Sequence, residues 1–343
     1  MNGQAIIEKN MSTLERSYFN SLKGLLIILV VIGHFGQTIS NLLPGTMGNV
    51  AHGVILFIYL FHMLLFMFVS GYLSKNLEKR RDRAFEELLI PYILFQIFVG
   101  VGYLLLTHSP KAISNIFIPQ MGAWYLISLF TYRILMPNLS KVRGILWISI
   151  LVNIFSCLSN NIGTVIALNK SLGFFTFFLF GYYVKFEYIV ALKKRINRRF
   201  AFGALLLMII VTITLTSKLE YGLCLSVLSR AANVTSFDNW YTAVAIYFAV
   251  FILTVIAGIF VMVVLPERGK LFERFGKDTM PMYLSHLVVF MACGFIVNKG
   301  NWVMAIAIST VVMVGCLVVF STDLYEKAFN CVLSTSKQVR TLF

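Results

Sequence analysis

From Trp240 to Leu265 the chain carries no formally charged side chain, and from Leu22 to Phe35 Lys23 is the only one. Runs of this kind constrain the fold more than any other feature. A helix crossing a bilayer needs about 20 mostly apolar residues, since its backbone polar groups must be satisfied internally once water is gone. Reading windows of that length gives ten runs, near 21–40, 53–74, 88–106, 121–137, 144–158, 171–185, 200–216, 240–265, 279–297 and 302–320. The sequence therefore predicts an all-α integral membrane protein with about ten transmembrane helices. With 59% hydrophobic against 13% charged residues, the chain is too apolar to hide its surface in one soluble core. Residues 1–20 are polar and no small-residue cleavage site follows the first run, so that run is read as a retained span.

The charge pattern gives an orientation. With the N-terminus in the cytoplasm, twenty-two of the twenty-nine Lys and Arg residues fall in inner segments, most densely at 75–83 and 193–199. Five fall outside (Lys111, Lys170, Lys218, Arg230 and Lys299), and Lys23 and Arg133 lie within runs. This is the positive-inside pattern, and it predicts that both termini are cytoplasmic. The net charge of +15 thus reads as membrane topology, with no nucleic-acid partner. One membrane domain is expected to fill residues 1–343, without an appended soluble domain. The five cysteines lie mostly in apolar runs and show neither metal nor redox spacing, so no metal and no permanently bound cofactor is expected.

Ionisable groups within spans are costly, roughly 2.5–3.5 kcal/mol for a central charge on insertion scales, and they point to function. Lys23, His34, His62 and His286 fall inside runs, whereas His52 and His108 fall in outer loops. Lys23 and His34 are eleven residues apart, which returns a helix to nearly the same face after a rise of roughly 16 Å. A cation at the inner mouth suits a phosphate, and a base higher on the same face suits an acyl group carried on a long arm. The alternatives are a snorkelling lysine and a histidine that hydrogen-bonds a neighbouring helix. His62 and His286 carry the same alternative of a packing histidine. Of fourteen acidic residues only Glu220 and Asp238 fall on the outer side, and none clearly inside a run. If a carboxylate orients His34, those two are the candidates.

Five stretches now bear on function. They are Arg16 to His34, a basic residue and a later histidine on the first run; Phe61-His-Met-Leu-Leu-Phe-Met-Phe-Val-Ser-Gly-Tyr72; Arg80-Arg-Asp-Arg83 followed by Leu88-Leu-Ile-Pro-Tyr92; Ala123-Trp-Tyr-Leu126 with Phe180-Gly-Tyr182; and Phe275-Gly-Lys-Asp-Thr-Met-Pro-Met-Tyr-Leu-Ser-His286. In this order the chain resembles the acyltransferase 3 family, in particular the stand-alone branch of polysaccharide and fucose O-acetylases. It departs from that pattern at Asn20, where many relatives have Asp. It departs again at Glu86 and Glu87, which stand before Leu-Leu-Ile-Pro where relatives often have an Arg, and this leaves the role of Arg83 open.

The resemblance implies transfer of an acyl group, usually acetyl, from cytoplasmic acyl-CoA to an acceptor across the membrane. It implies that His34 is the essential histidine and Lys23 its basic partner at the donor mouth. Arg80 and Arg83 would be the cytoplasmic arginine pair, with Ser70 and Tyr72 in the conserved end of the second span. His286, His62, Glu220, Asp238 and Trp124 are expected in support. The expected acceptor is a sugar hydroxyl of a surface polysaccharide (capsule, exopolysaccharide, O-antigen or lipid-linked precursor), and the expected location is a bacterial cytoplasmic membrane. His34 could act as general base or as transient acyl carrier. A polysaccharide or lipid-linked sugar transporter without acyl transfer is the alternative reading.

Overall fold

The computed structural model describes residues 12–108, 117–159, 163, 165–267, 269–297 and 301–338. These residues form helices and, among them, no strand. In chain order the main helices are α1 (Thr13–Leu42), α2 (Gly45–Tyr72), α3 (Leu77–Asp82), α4 (Ile90–Thr107), α5 (Trp124–Leu139), α6 (Ile145–Phe155), α7 (Leu168–Tyr183) and α8 (Phe186–Arg195). They continue with α9 (Arg198–Thr216), α10 (Tyr221–Leu228), α11 (Trp240–Val264), α12 (Lys270–Gly276), α13 (Met280–Ile296), α14 (Trp302–Val319) and α15 (Asp323–Gln338).

All ten apolar runs are helical, and among the described residues seven helices are long and apolar enough to cross a membrane: α1, α2, Phe85–Thr107, Val165–Tyr183, α9, α11 and α14. The other three runs hold shorter helices, α5, α6 and α13. Exposed side chains on α9 and α14 are large and apolar (Phe202, Leu207, Ile210, Met304, Val311), as contact with lipid demands.

The boundaries correct the sequence reading in three places. α1 begins at Thr13 rather than near 21, because Ser12 and Glu15 form a capping box: Glu15 N donates to Ser12 Oγ at 3.1 Å and Ser12 N to Glu15 Oε2 at 3.3 Å. α2 begins at Gly45, which places His52 on a helix instead of in a loop. Glu87 lies within the Phe85–Thr107 helix, although no carboxylate was expected inside a span.

The chain divides into two compact units. The first comprises the described residues up to Val69, Val184–Ser229 and Ala249–Asn330. Its packing depends on glycines. A Cβ on Gly24 would collide with the Phe272 carbonyl and one on Gly276 with the Asn20 carbonyl, so α12 lies directly against the backbone of α1. Tyr18 Oη donates to Met262 O at 3.0 Å, and Gly269 N donates to Ser21 Oγ at 3.2 Å, which ties the lower part of α1 to the end of α11 and the segment after it. Gly33 admits the Tyr59 ring of α2, and Gly53 of α2 admits the backbone of α9 at Ile213.

The second unit comprises Ser70–Tyr183, Arg230–Phe248 and the described residues from Cys331. A π turn at Phe85–Leu89 leads into α4. A Cβ on Gly71 would collide with the Phe178 carbonyl of α7. α7 is held to its neighbours by polar contacts between apolar surfaces: Thr176 Oγ1 donates to Ser149 O at 2.7 Å, Ser128 and Ser171 hydroxyls lie 2.7 Å apart, and Asn153 Nδ2 donates to Gly173 O.

Candidate functional site

In the first unit α1 presents Lys23 and His34 along one packed stripe with Leu26, Ile27, Val30 and Val31. The His34 ring lies 5.4 Å from the His286 ring of α13 and 5.5 Å from Phe290, centroid to centroid. His62 of α2 interacts electrostatically with His34, and its ring meets that of Tyr59 edge-on at 4.7 Å. Gln37, one turn above His34, donates from Nε2 to Tyr59 Oη at 2.6 Å. All three sequence-predicted histidines of the spans thus converge.

His62 and His286 are held identically. Each bonds through Nδ1 to the carbonyl four residues earlier, Ile58 O and Met282 O, both at 2.8 Å. A carbonyl oxygen only accepts, so the hydrogen sits on Nδ1 and the neutral ring keeps a lone pair on Nε2. His286 is fully buried, and its Nε2 has no hydrogen-bond partner among the described residues.

Lys23 is only 4% exposed, so its side chain stays in the packed stripe and does not snorkel to the surface. The basic inner segment near 193–199 is partly committed elsewhere. Lys193 Nζ donates to Leu265 O at 2.5 Å and lies 4.8 Å over the Tyr18 ring, and Arg198 Nε donates to Val264 O at 3.1 Å. These cations complete the C-terminal end of α11, whose last carbonyls lack helical partners. Burial holds the Lys193 amine below its ordinary value.

In the second unit Arg80 lies on α3 and Arg83 caps the end of that helix. Arg80 is 3% exposed and is fixed by Leu73 O at 3.0 Å and by Glu87 Oε2 at 3.3 Å. The same carboxylate oxygen takes Arg133 Nη1 of α5 at 2.6 Å. Burial, with Arg133 nearby, pushes the Arg80 guanidinium down to about 10. Glu87, noted in the sequence only as a departure from the family pattern, is therefore the shared counter-ion of two guanidinium groups. Arg83 is half-buried and forms no ion pair with the described residues. Ser70 Oγ lies 2.6 Å from Tyr125 Oη, and Lys75 Nζ covers the Tyr72 ring at 3.8 Å. Arg133 and Tyr125 join the expected Ser70 and Arg80 in one polar network. Arg133 carried a sequence signal as a charge within an apolar run, and Tyr125 lies in the stretch Ala123-Trp-Tyr-Leu126.

Of the remaining expected residues, Glu220 precedes α10 and Asp238 precedes α11, and both are exposed. Trp124 begins α5, stacks on Phe174 at 5.1 Å and receives the Lys170 ammonium at 5.0 Å from its ring.

Apolar exteriors, helices of spanning length and ionisable groups packed between them define a multi-pass membrane protein built for chemistry or transport inside a bundle. The choice between the two comes from the family. The acyltransferase-domain model of the acyltransferase 3 family matches residues 16–321, and the chain belongs to that family. It is a membrane acyltransferase. No match was found among curated proteins or solved structures.

Proposed function

We propose that this protein transfers an acetyl group from cytoplasmic acetyl-CoA to a sugar hydroxyl of a surface polysaccharide or its lipid-linked precursor, in a bacterial cytoplasmic membrane. The observation that carries this reading is the convergence of His34, His62 and His286 inside the first unit of a family acyltransferase. Arg83 and Arg80 of the second unit are the groups for the CoA phosphates, and Lys23 of the first unit is the cation on the donor side of His34. Arg83 carries most of that role, since the Arg80 guanidinium already spends one face on Glu87. Ser70 and Tyr72 stand in the same unit as the arginines and are assigned to the donor side.

In the reaction the acceptor oxygen attacks the thioester carbonyl. The C–O bond forms, the C–S bond breaks, and CoA leaves as the thiolate. His34 takes the hydroxyl proton and returns it to the thiolate, giving acetyl ester and free thiol. His286 and His62, in their neutral forms, keep lone pairs on Nε2 while their Nδ1 hydrogens stay on carbonyls. A proton arriving on His34 then meets ring dipoles and not a second imidazolium.

The test uses purified protein in lipid nanodiscs with acetyl-CoA and an acceptor glycan, following thiol release. His34→Ala should lower turnover at least about 10³-fold with binding of acetyl-CoA retained. Thiol release at the wild-type rate from His34→Ala would end the assignment. Labelled acetyl trapped on His34 in the absence of acceptor would convert the base into an acyl carrier.

A further inference from the structure

A second set of ionisable groups lies in the other compact unit, within Ser70–Tyr183 and Arg230–Phe248. Arg230 is 4% exposed and stands in the connection before α11 with φ of 59°, a left-handed conformation that costs a non-glycine residue on the order of 1 kcal/mol. The fold holds it there by several contacts. Its carbonyl accepts from Asn169 Nδ2 at 3.2 Å, its stem lies across Gly173 of α7, and its guanidinium sits 4.9 Å over the Tyr247 ring. Tyr247 is itself anchored to Ala232 O at 2.6 Å. Gly173 is required at this point, because a Cβ there would press on the Arg230 side chain at 2.7 Å.

Among the described residues the cation so fixed has no counter-ion. Its Nη1 is buried without a hydrogen-bond partner among the described residues, and the titratable groups that bear on it are Tyr247 and Cys157, neither a carboxylate. The undescribed positions next in sequence to α7 and α4, 160–162, 164 and 109–116, contain no Asp or Glu. Asp238, the acidic residue of the Arg230–Phe248 segment, is exposed. Lys170 lies three residues before Gly173 on α7, hence on the same face about one turn away, with its ammonium against Trp124. Asn153, fully buried and bonded to Gly173 O through Nδ2, leaves its Oδ1 without a partner. An uncompensated buried cation costs several kcal/mol, and proteins keep one where an anion comes to it.

We propose that Arg230 and Lys170 form a binding site for an oxyanion on the acceptor glycan, so that the acceptor is an anionic sugar chain and not a neutral one. The site deepens the function proposed above and rests on that reading for calling its ligand the acceptor. Arg230 and Lys170 both belong to segments that charge asymmetry places on the outer side, opposite the CoA donor. The chemistry supports a sugar ligand as well as an anion. Two aromatic rings, Trp124 and Tyr247, flank the cations, and the open Asn153 oxygen can accept from a hydroxyl. The oxyanion is the carboxylate of an acidic sugar or the phosphate of a phosphorylated one; both satisfy the same guanidinium geometry.

The test is saturation binding to the full chain in nanodiscs, without CoA. The probes are a uronate oligosaccharide, glucose 1-phosphate and a neutral oligosaccharide matched in length to the first. At least one anionic probe should bind saturably and ten times or more tighter than the neutral one, and which of the two does so identifies the source of the charge. Arg230→Gln and Lys170→Gln should each weaken that binding at least tenfold, and Arg230→Lys should recover part of it. Lys170→Gln keeps the test decisive if Arg230→Gln does not fold. Equal binding of anionic and neutral probes, no saturation with either anion, or an Arg230→Gln affinity within twofold of wild type would overturn the site. His34→Ala should bind the anion as wild type does. Thiol release on the same preparations reports separately on acyl transfer, so wild-type protein that binds the anion but never cleaves acetyl-CoA would remove the proposed function and leave the anion site standing.

Discussion

Glu87→Gln is the substitution through which the packing argument is most exposed. One carboxylate oxygen serves two guanidinium groups, at 2.6 Å from Arg133 and 3.3 Å from Arg80, whose side chains are 10% and 4% exposed. Hydrogen bonds to charged groups contribute about 1.5–3 kcal/mol each, and removing one member of a buried pair costs about 3–5 kcal/mol because the other charge is stranded. Glu87 is 28% exposed and the amide keeps a neutral acceptor, so the expected loss is smaller, about 2–3 kcal/mol. The folded fraction then falls roughly 30- to 150-fold relative to unfolded. Glu78→Gln is the control: its pair with Arg81 is shorter, at 2.5 Å, but the side chains are 66% and 44% exposed, and its loss should stay under about 0.5 kcal/mol. The assay is reversible unfolding in mixed detergent and SDS micelles, followed by tryptophan fluorescence. Replacing Arg133 by Leu in the Glu87→Gln background should recover about 1 kcal/mol, since it removes one stranded charge. Equal behaviour of Glu87→Gln and Glu78→Gln would refute the claim that burial, and not ion-pair distance, sets the worth of these contacts.

Other outcomes follow from the same packing. Gly276→Ala should cost at least about 3 kcal/mol or abolish monodisperse protein, as its Cβ meets the Asn20 carbonyl, whereas Gly294→Ala, with nothing within 4 Å, should be neutral or stabilising by up to about 1 kcal/mol; size-exclusion profiles and unfolding midpoints separate them. Lys193→Met should lower stability by about 1 kcal/mol with KM for acetyl-CoA within twofold, because its ammonium is engaged by α11 carbonyls, while Arg83→Ala should raise that KM tenfold or more. His286→Phe, which keeps a ring against His34, should preserve folding and reduce kcat about 10²-fold; an unchanged kcat would make His286 a packing residue.

The apolar runs were legible because lipid demands them, and all ten are helical. Their edges were less so. Hydropathy reports where a helix meets lipid and not where it starts, so it leaves the polar turns from Thr13 and the loop-like Gly45–His52 outside α1 and α2. The short helices α8 and α12 lie in segments that read as inner loops, since their charged residues dominate the pattern there. The eleven-residue spacing of Lys23 and His34 put both on one stripe correctly, because it depends on helical period alone. The approach of His286 to His34, across more than 250 residues, depends on which glycines let helices touch, and periodicity holds no record of that. Glu87 illustrates the limit most clearly: its sequence neighbours mark it as a departure, and only the fold shows Arg80 and Arg133 on either side of it.

The claim at the centre of this account is that acyl transfer depends on His34. Proton NMR of the host's surface polysaccharide measures it directly, comparing a deletion strain complemented with wild type and with His34→Ala at equal membrane expression. The account predicts O-acetyl signals restored by wild type and absent with His34→Ala, with the shifted ring protons marking the acceptor hydroxyl. Equal O-acetyl signals from both strains would contradict it.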